Sequence, residues 1–399
     1  MAIVKLIEIC EKIGSGATPR GGKEAYCDKG ISLVRSQNVL DFSFSCDGLA
    51  FINDEQAKKL NNVEVLSGDV LLNITGDSVA RACIMSDEYL PARVNQHVAI
   101  VRGQKDRVLN NYILYYLQWR KGHLLQLASA GATRNALTKG MIEQLEIDLP
   151  SYDDQRKIVA ILDSLQGKIQ LNNKINDNLQ QQAAAIFRSW FVDCDLFGGK
   201  APDEWENVTL EDITALVSRG ITPKYADDTD QIVINQKCVR NHMIDLSLAR
   251  THTPKVINEK WLRFGDLLIN STGDGTLGRA AQVWFQPKNL TVDSHVTIVR
   301  PAKENLIFYI GLWGILHEKE IESLHTGSTG QTELPRDRVK AMELRLPDND
   351  TLDRFNALIT PMAAAIVANQ EENNQLAALR DAILPKLMSG EIDISAVQL

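Results

Sequence analysis

The stretch Gln155 to Asp193 constrains this chain more than any other. Its seam residues are Ile158, Leu162, Leu165, Ile169, Asn172, Asn176, Leu179, Ala183, Ile186 and Trp190, in steps that alternate four and three. That spacing is the 3.5-residue repeat of a coiled coil. No proline interrupts it, and its one glycine, Gly167, lies off the seam. The spacing predicts a single helix roughly 57 Å long at ~1.5 Å per residue. A helix of that length with one narrow apolar stripe requires a partner.

The chain supplies the partner. Displaced by 197 residues, the seam returns as Phe355, Ile359, Met362, Ile366, Asn369, Asn373, Leu376, Arg380, Ile383 and Leu387. Both asparagines recur at the same steps. Polar seam residues weaken a coiled coil but fix its register. In an antiparallel pair, Asn172 meets Asn373 and Asn176 meets Asn369. Ile169 then falls on Leu376, Leu162 on Ile383, Ile158 on Leu387, Leu179 on Ile366 and Ile186 on Ile359. Leu165 against Arg380 is the one poor match. Two unrelated amphipathic helices would leave the repeated asparagines unexplained.

The helix repeat belongs to a duplication of the whole chain. Val4, Leu6, Ile9, Gly16, Thr18 and Pro19 correspond to Val208, Leu210, Ile213, Gly220, Thr222 and Pro223. Ile31–Val39 aligns with Ile232–Val239, Gly68-Asp69 with Gly265-Asp266, and Thr75-Gly76-Asp77 with Thr272-Gly273-Asp274. Arg81 matches Arg279, His97-Val98 matches His295-Val296, and Arg102 matches Arg300. Each copy reads as a globular unit followed by a long helix: residues 1–150, 151–197, 198–347 and 348–399. The expected fold class is α+β, with two repeated mixed α/β domains separated by two long helices in an antiparallel, pseudo-twofold coiled coil. Strands are expected at residues 70–74, 83–86 and 98–102, and again at 267–270, 281–285 and 296–300. Single helices are expected near 110–128 and 306–324, where apolar residues recur at helical spacing. Asp153 is the expected N-cap of the first long helix.

Composition narrows the function. At 399 residues and 44% hydrophobic content, the chain has ample material for two or three cores. Six cysteines at irregular spacings, with no Cys-x-x-Cys, fit neither a disulfide framework nor a zinc site and point to a reducing, cytoplasmic setting. No signal peptide and no membrane-spanning apolar run is evident. Net charge is −8, yet residues 1–150 hold 17 basic and 17 acidic side chains, while residues 348–399 hold 3 and 8. A nucleic-acid partner would therefore have to be met by a local basic face, with other subunits neutralising phosphate.

Catalytic motifs are missing. Gly14 to Lys23 fails the phosphate-loop pattern, because Ala17 replaces the first glycine and Glu24 the final Ser or Thr. His317-Glu318 lacks the second histidine of a zinc-protease helix, and there is no Gly-x-Ser-x-Gly elbow. No Asn/Asp-Pro-Pro-aromatic sequence marks a methyltransferase centre. The chain is expected to have no chemistry and no metal of its own. What remains are polar residues at equivalent places in both copies. They are Thr18 and Arg20 with Thr222 and Lys224, and Arg35, Ser36, Gln37 and Asn38 with Asn235, Gln236 and Lys237. Thr75, Asp77 and Arg81 pair with Thr272, Asp274 and Arg279, and Thr133, Arg134 and Asn135 with Thr329, Gly330 and Gln331. Arg, Gln and Asn are the side chains that read base edges in the major groove. Each position alone is equally at home as a solvated or capping residue.

Together these features resemble the specificity (S) subunits of type I restriction-modification systems, over essentially the whole chain. The local signatures are Leu149-Pro150 followed by Gln155-Arg-Lys-Ile-Val-Ala-Ile-Leu162, and Ile186-Phe-Arg-Ser-Trp-Phe-Val-Asp193. Pro202-Asp-Glu-Trp205 and Leu387-Met-Ser-Gly-Glu-Ile392 complete the set. Two places depart from the pattern: Glu204 stands where a glycine is usual, and the second helix begins Thr351-Leu-Asp-Arg-Phe355 where Glu-Gln is common.

The resemblance implies that each globular domain is a target recognition domain reading half of a split site in double-stranded DNA. It implies that the helices set the gap and dock two modification (methyltransferase) subunits, which carry S-adenosylmethionine and methylate adenine N6. Restriction subunits, with ATP and Mg, would complete the complex. The geometry agrees: two readers on a pseudo-twofold axis address half-sites about one helical turn, ~34–36 Å, apart. The rival reading is a coiled-coil adaptor with two protein-binding domains.

Overall fold

A computed structural model describes residues 2–19, 21–129, 135–273, 275–327, 332–395 and 397. Arg20, Thr133, Arg134, Asp274, Thr329, Gly330 and Gln331 lie outside the described residues. The chain forms two compact units: Met1–Gln170 with Asn373–Leu399, and Leu171–Glu372.

In the first unit the strands Cys10–Ser15, Val98–Gly103, Val70–Asn73 and Ala82–Ile84 form an antiparallel sheet in that spatial order. A second sheet runs Ala50–Ile52, Ile31–Val34, Ala92–Val94, Glu64–Val65, with a parallel pair at its centre. Val70, Leu72, Ala99 and Val101 face the helix Asn110–Trp119, whereas Leu71, Cys83 and Ile100 face the second sheet. Burial on both faces explains why Val70–Leu72 is an unbroken apolar run rather than an alternating one.

The second unit repeats this plan. Thr214–Arg219, Val296–Pro301, Leu267–Asn270 and Ala280–Gln282 form one sheet. Arg250–Thr251, Ile232–Ile234 and Leu290–Val292 form the other, in which the last two strands again pair parallel.

The expected helix over 110–128 is two helices, Asn110–Trp119 and Lys121–Ser129, and its counterpart is Ile307–Leu316 and Glu318–Ser323. A polar side chain at the bend reaches the adjacent strand: Gln118 Nε2 donates to Ala82 O (2.8 Å) and Glu318 Oε1 accepts from Ala280 N (2.6 Å).

The first long helix spans Tyr152–Phe187 and closes with a π-helical turn, Arg188–Val192. Its N-cap is Ser151 rather than Asp153. Ser151 Oγ accepts from Asp154 N (3.1 Å), which places Asp153 inside the first turn, where its charge suits the helix dipole. Gln155, fully buried, donates to Arg107 O and Pro150 O and accepts from Leu109 N. The second long helix, Asn349–Met388, runs through Pro361 and Pro385.

Both long helices contribute to each unit. In the first, Ile158 and Leu162 share a core with Ile383, Leu384, Leu387 and Met388. Arg380, the poor match of the seam, is met by Gln166 Oε1 at 2.7 Å instead of Leu165, and it stacks 4.0 Å from the Phe42 ring. In the second unit the helices run antiparallel. Asn172 Nδ2 donates to Glu372 Oε2 (2.7 Å), Asn369 Nδ2 donates to Asn176 Oδ1 (2.8 Å), and Phe187 meets Phe355 edge-on with ring centroids 6.0 Å apart. Phe355 is fully buried among Phe187, Trp190 and Phe191, while Trp205 Nε1 donates to Asp348 at 3.3 Å. Phe187, Trp190, Phe191 and Trp205 therefore pack into the core of this unit. Among the described residues no helix is long and apolar enough to cross a membrane.

Candidate functional site

Each unit holds its polar rim on a buried frame that is the same in both. Asp69 binds Arg102 through two 2.6 Å contacts, and Asp266 binds Arg300 at 2.8 and 2.7 Å. Asp69 Oδ2 also accepts from Leu66 N, and Asp266 Oδ2 from Arg263 N, both at 2.8 Å, so the carboxylate fixes the turn that opens the central strand. At that strand's far end Asn73 Nδ2 donates to Ser36 O (2.8 Å) and Asn270 Nδ2 to Gln236 O (3.0 Å). Gly16 and Gly220 permit a close backbone approach. A Cβ at Gly16 would lie 1.6 Å from Val94 O, and at Gly220 1.9 Å from Val292 O. This contact lays residues 16–18 against 94–96, and 220–222 against 292–294.

On the first frame the rim comes together at Thr75. Its Oγ1 is 2.6 Å from His97 Nδ1, and the Gln96 amide nitrogen is 3.1 Å from His97 Nε2. Thr18 Oγ1 donates to Gln96 Oε1. Gly76 N donates to Asn135 O (3.1 Å), beside a bridge between Thr75 and Ala136. Thr18, Thr75 and Asn135 thus meet on one edge. Asp77 is exposed on the adjoining turn and Arg81 is half-buried.

The Arg35–Asn38 turn has another role. Arg35 Nη2 donates to Gly48 O (2.5 Å), Gln37 Nε2 to Asp47 O and Gly48 O, and Asn38 Nδ2 to Ser45 O and Asp47 O. Their donors hold the 45–48 loop. Asn38 is fully buried, so it is a frame residue rather than a reader. Ser36 is half-buried and supplies the carbonyl that Asn73 binds.

On the second frame Thr272 Oγ1 is 2.7 Å from His295 Nδ1. Thr272 bridges to Glu333, which is paired with Arg219, and Arg219 also donates to Leu334 O (2.8 Å). Gln236 lies over the Gly273 turn. Asn235 Oδ1 accepts from Lys237 N (2.9 Å), a local cap, which leaves Lys237 exposed. Thr222 and Lys224 are exposed, and Thr222 O accepts from Lys255 Nζ (2.6 Å). Arg279 does not join Thr272. It lines a groove of about 670 Å³ with Gln180, His242, Trp284 and Glu318.

Sequence reasoning passed over His97, Gln96 and His295 as rim residues. The available signal was the repeated His-Val pair. Beneath His295, Asp293 Oδ1 accepts from His295 N (2.8 Å), and burial raises the Asp293 carboxyl above its ordinary range. Asn95 makes the same contact to His97 N at 3.0 Å without a charge. Among the described residues no group of three or more His, Cys, Asp or Glu side chains is placed to hold a metal.

Residues 1–181 match the family described as the type I restriction modification DNA specificity domain. The chain is 23% identical to the type I restriction enzyme MjaIX specificity subunit of Methanocaldococcus jannaschii, over 98% of this chain and 93% of that protein. It is 22% identical to the type I restriction enzyme HindI specificity subunit of Haemophilus influenzae, over 91% and 94%. Among solved structures, the S subunit of a type I restriction-modification system from M. genitalium matches with a TM-score of 0.55 at 12% identity, over 97% and 96% of the two chains. At that identity the last likeness concerns the fold.

Proposed function

We propose that this chain is a DNA-specificity subunit of the type I restriction-modification kind, a reading supported by the match of residues 1–181 and by the full-length likeness to two specificity subunits, and that each unit reads one half of a split sequence in double-stranded DNA. The observation that carries this reading is one buried frame under two different rims. Asp69–Arg102 and Asp266–Arg300 are alike, whereas at the rim Gln96 gives way to Ser294, and the exposed Lys237 stands where Gln37 ties down the 45–48 loop. A conserved frame with an altered rim is what two readers of unlike half-sites require. The candidates for base and phosphate contact are the exposed Thr18, Asp77, Asn135, Thr222, Lys224 and Lys237 and the half-buried Thr75 and Thr272.

On this reading the long helices set the distance between half-sites and dock two methyltransferase subunits. Those subunits hold S-adenosylmethionine and methylate adenine N6, and restriction subunits with ATP and Mg complete the assembly. The chain itself performs no covalent step. The test is a helix deletion. Removing one heptad from each long helix shortens the pair by ~10 Å, about three base pairs of duplex. The complex should then select a gap shorter by about that number. An unchanged gap refutes the spacer role, and loss of sequence-selective DNA retention by an otherwise intact wild-type complex favours the adaptor reading.

A further inference from the structure

Both rims contain a threonine–histidine pair that the scaffold does not need. The backbone is already joined at this point in each unit: Ile74 N donates to His97 O (3.0 Å), and Ser271 N donates to His295 O (2.8 Å). A further bond between half-exposed or exposed side chains adds little stability. It does fix the orientation of the imidazole and its tautomer.

The copies then diverge. In the first unit the Gln96 NH2 group can only donate, so His97 Nε2 accepts and Nδ1 carries the proton toward Thr75 Oγ1. Both ring nitrogens are used, and the Thr75 hydroxyl hydrogen is left to point elsewhere. In the second unit Ser294 stands in place of Gln96 and Asp293 in place of Asn95. His295 is exposed, and its Nε2 has no hydrogen bond among the described residues. With the Thr272 hydroxyl donating to Nδ1, the neutral ring presents an N–H outward from Nε2.

We infer that His295 contacts DNA directly, its Nε2–H donating to a phosphate oxygen or to a purine N7 or O6 edge. His97 is a positioning residue that aims the Thr75 hydroxyl at the other half-site. This inference rests on the reading of the chain as a split-site DNA reader. The pair makes the two half-sites chemically unequal: a nitrogen donor on one, a hydroxyl on the other.

The experiment maps N6-methyladenine in cells carrying the full chain and its methyltransferase subunit, as wild type, His295→Ala, His295→Gln and His97→Ala. Binding of the purified complexes to duplexes with and without the wild-type motif is measured alongside. If the contact is to a base, His295→Ala relaxes one position of one half-site, its discrimination falling about tenfold or more, with the other half and the gap unchanged. If it is to phosphate, the motif is kept and both duplexes are bound more weakly. His295→Gln, which retains an N–H donor, recovers part of the loss, and His97→Ala alters only the opposite half. Unchanged motif and affinity in His295→Ala overturn the inference. So does a lowered melting midpoint that tracks the loss in both His295 variants, because the pair is then a structural clasp. Absence of any split motif with the wild-type chain overturns the underlying reading itself.

Discussion

Asp266→Ala tests the frame where its strength is greatest. The side chains of Asp266 and Arg300 are 0% and 7% exposed. Asp266 accepts from Arg300 Nε and Nη2 and from Arg263 N, at 2.7–2.8 Å. Removing the carboxylate leaves a guanidinium held, among the described residues, by Glu259 O and Trp261 O, and frees the turn at Arg263. Breaking one partner of such a buried pair costs about 3–5 kcal/mol. In a unit spanning Leu171–Glu372 this is a fall in melting midpoint of ~6–20 °C. The assay is thermal unfolding followed by tryptophan fluorescence. Of the six tryptophans only Trp119 lies outside the second unit, so the signal reports on that unit. Asp69→Ala should cost less. Arg102 is 17% exposed and has Glu11 at 3.8 Å as a second carboxylate. The control is Asp203→Ala, which removes the exposed Lys200–Asp203 pair in the second unit. If Asp266→Ala lowers the midpoint no more than this control, the frame argument is wrong.

Three further outcomes follow from the same contacts. Burial raises the folded carboxyl of Asp293, so its stabilising contribution is present below the unfolded carboxylate range and lost as pH rises through the folded value. Asp293→Asn, the arrangement Asn95 already uses, should therefore melt higher than wild type at neutral pH, with the gain gone below about pH 3. Asn176→Leu leaves the Asn369 amide without its acceptor and should destabilise by about 1–3 kcal/mol, whereas leucine at both positions should recover the loss, as a double-mutant cycle in denaturant can measure. Burial pushes the thiols of Cys10 and Cys83 up to about 12, so brief alkylation of the folded chain near pH 8, read by mass spectrometry, should mark the exposed Cys27 and Cys46 and spare those two.

The long helices could be read from sequence because a four-three seam without proline admits few other structures. The second helix shows the limit of that rule. Pro361 and Pro385 lie inside Asn349–Met388, where packing of Phe355, Ile359 and Leu387 outweighs the lost donors. The helix break at Arg120 was not legible, since it falls within an apolar-periodic stretch, and the inward contact of Gln118 with Ala82 O beside it is tertiary. The parallel pair of Ile31–Val34 with Ala92–Val94 was equally hidden, because a three-residue strand buried on both sides carries no alternation.

At the rim, Thr18 and Thr75 could be picked out because equivalent loops carry the same residue type. Arg35, Gln37 and Asn38 stand out in sequence as donors, but the loop carbonyls they bind could not be read there. The donors that read base edges are also the donors that tie down loop carbonyls, and only the fold shows which use they serve. Arg279 matched Arg81 in sequence, yet it sits in a groove beside the first long helix.

The central claim is that this chain selects a split DNA sequence for methylation. The most direct measurement is a genome-wide map of N6-methyladenine in the source cell, with the gene intact and deleted. The account predicts that deletion removes methylation at one bipartite motif with two unlike halves and leaves every other motif in place. An intact map after deletion, with the partner methyltransferase active and the chain expressed beforehand, would contradict it.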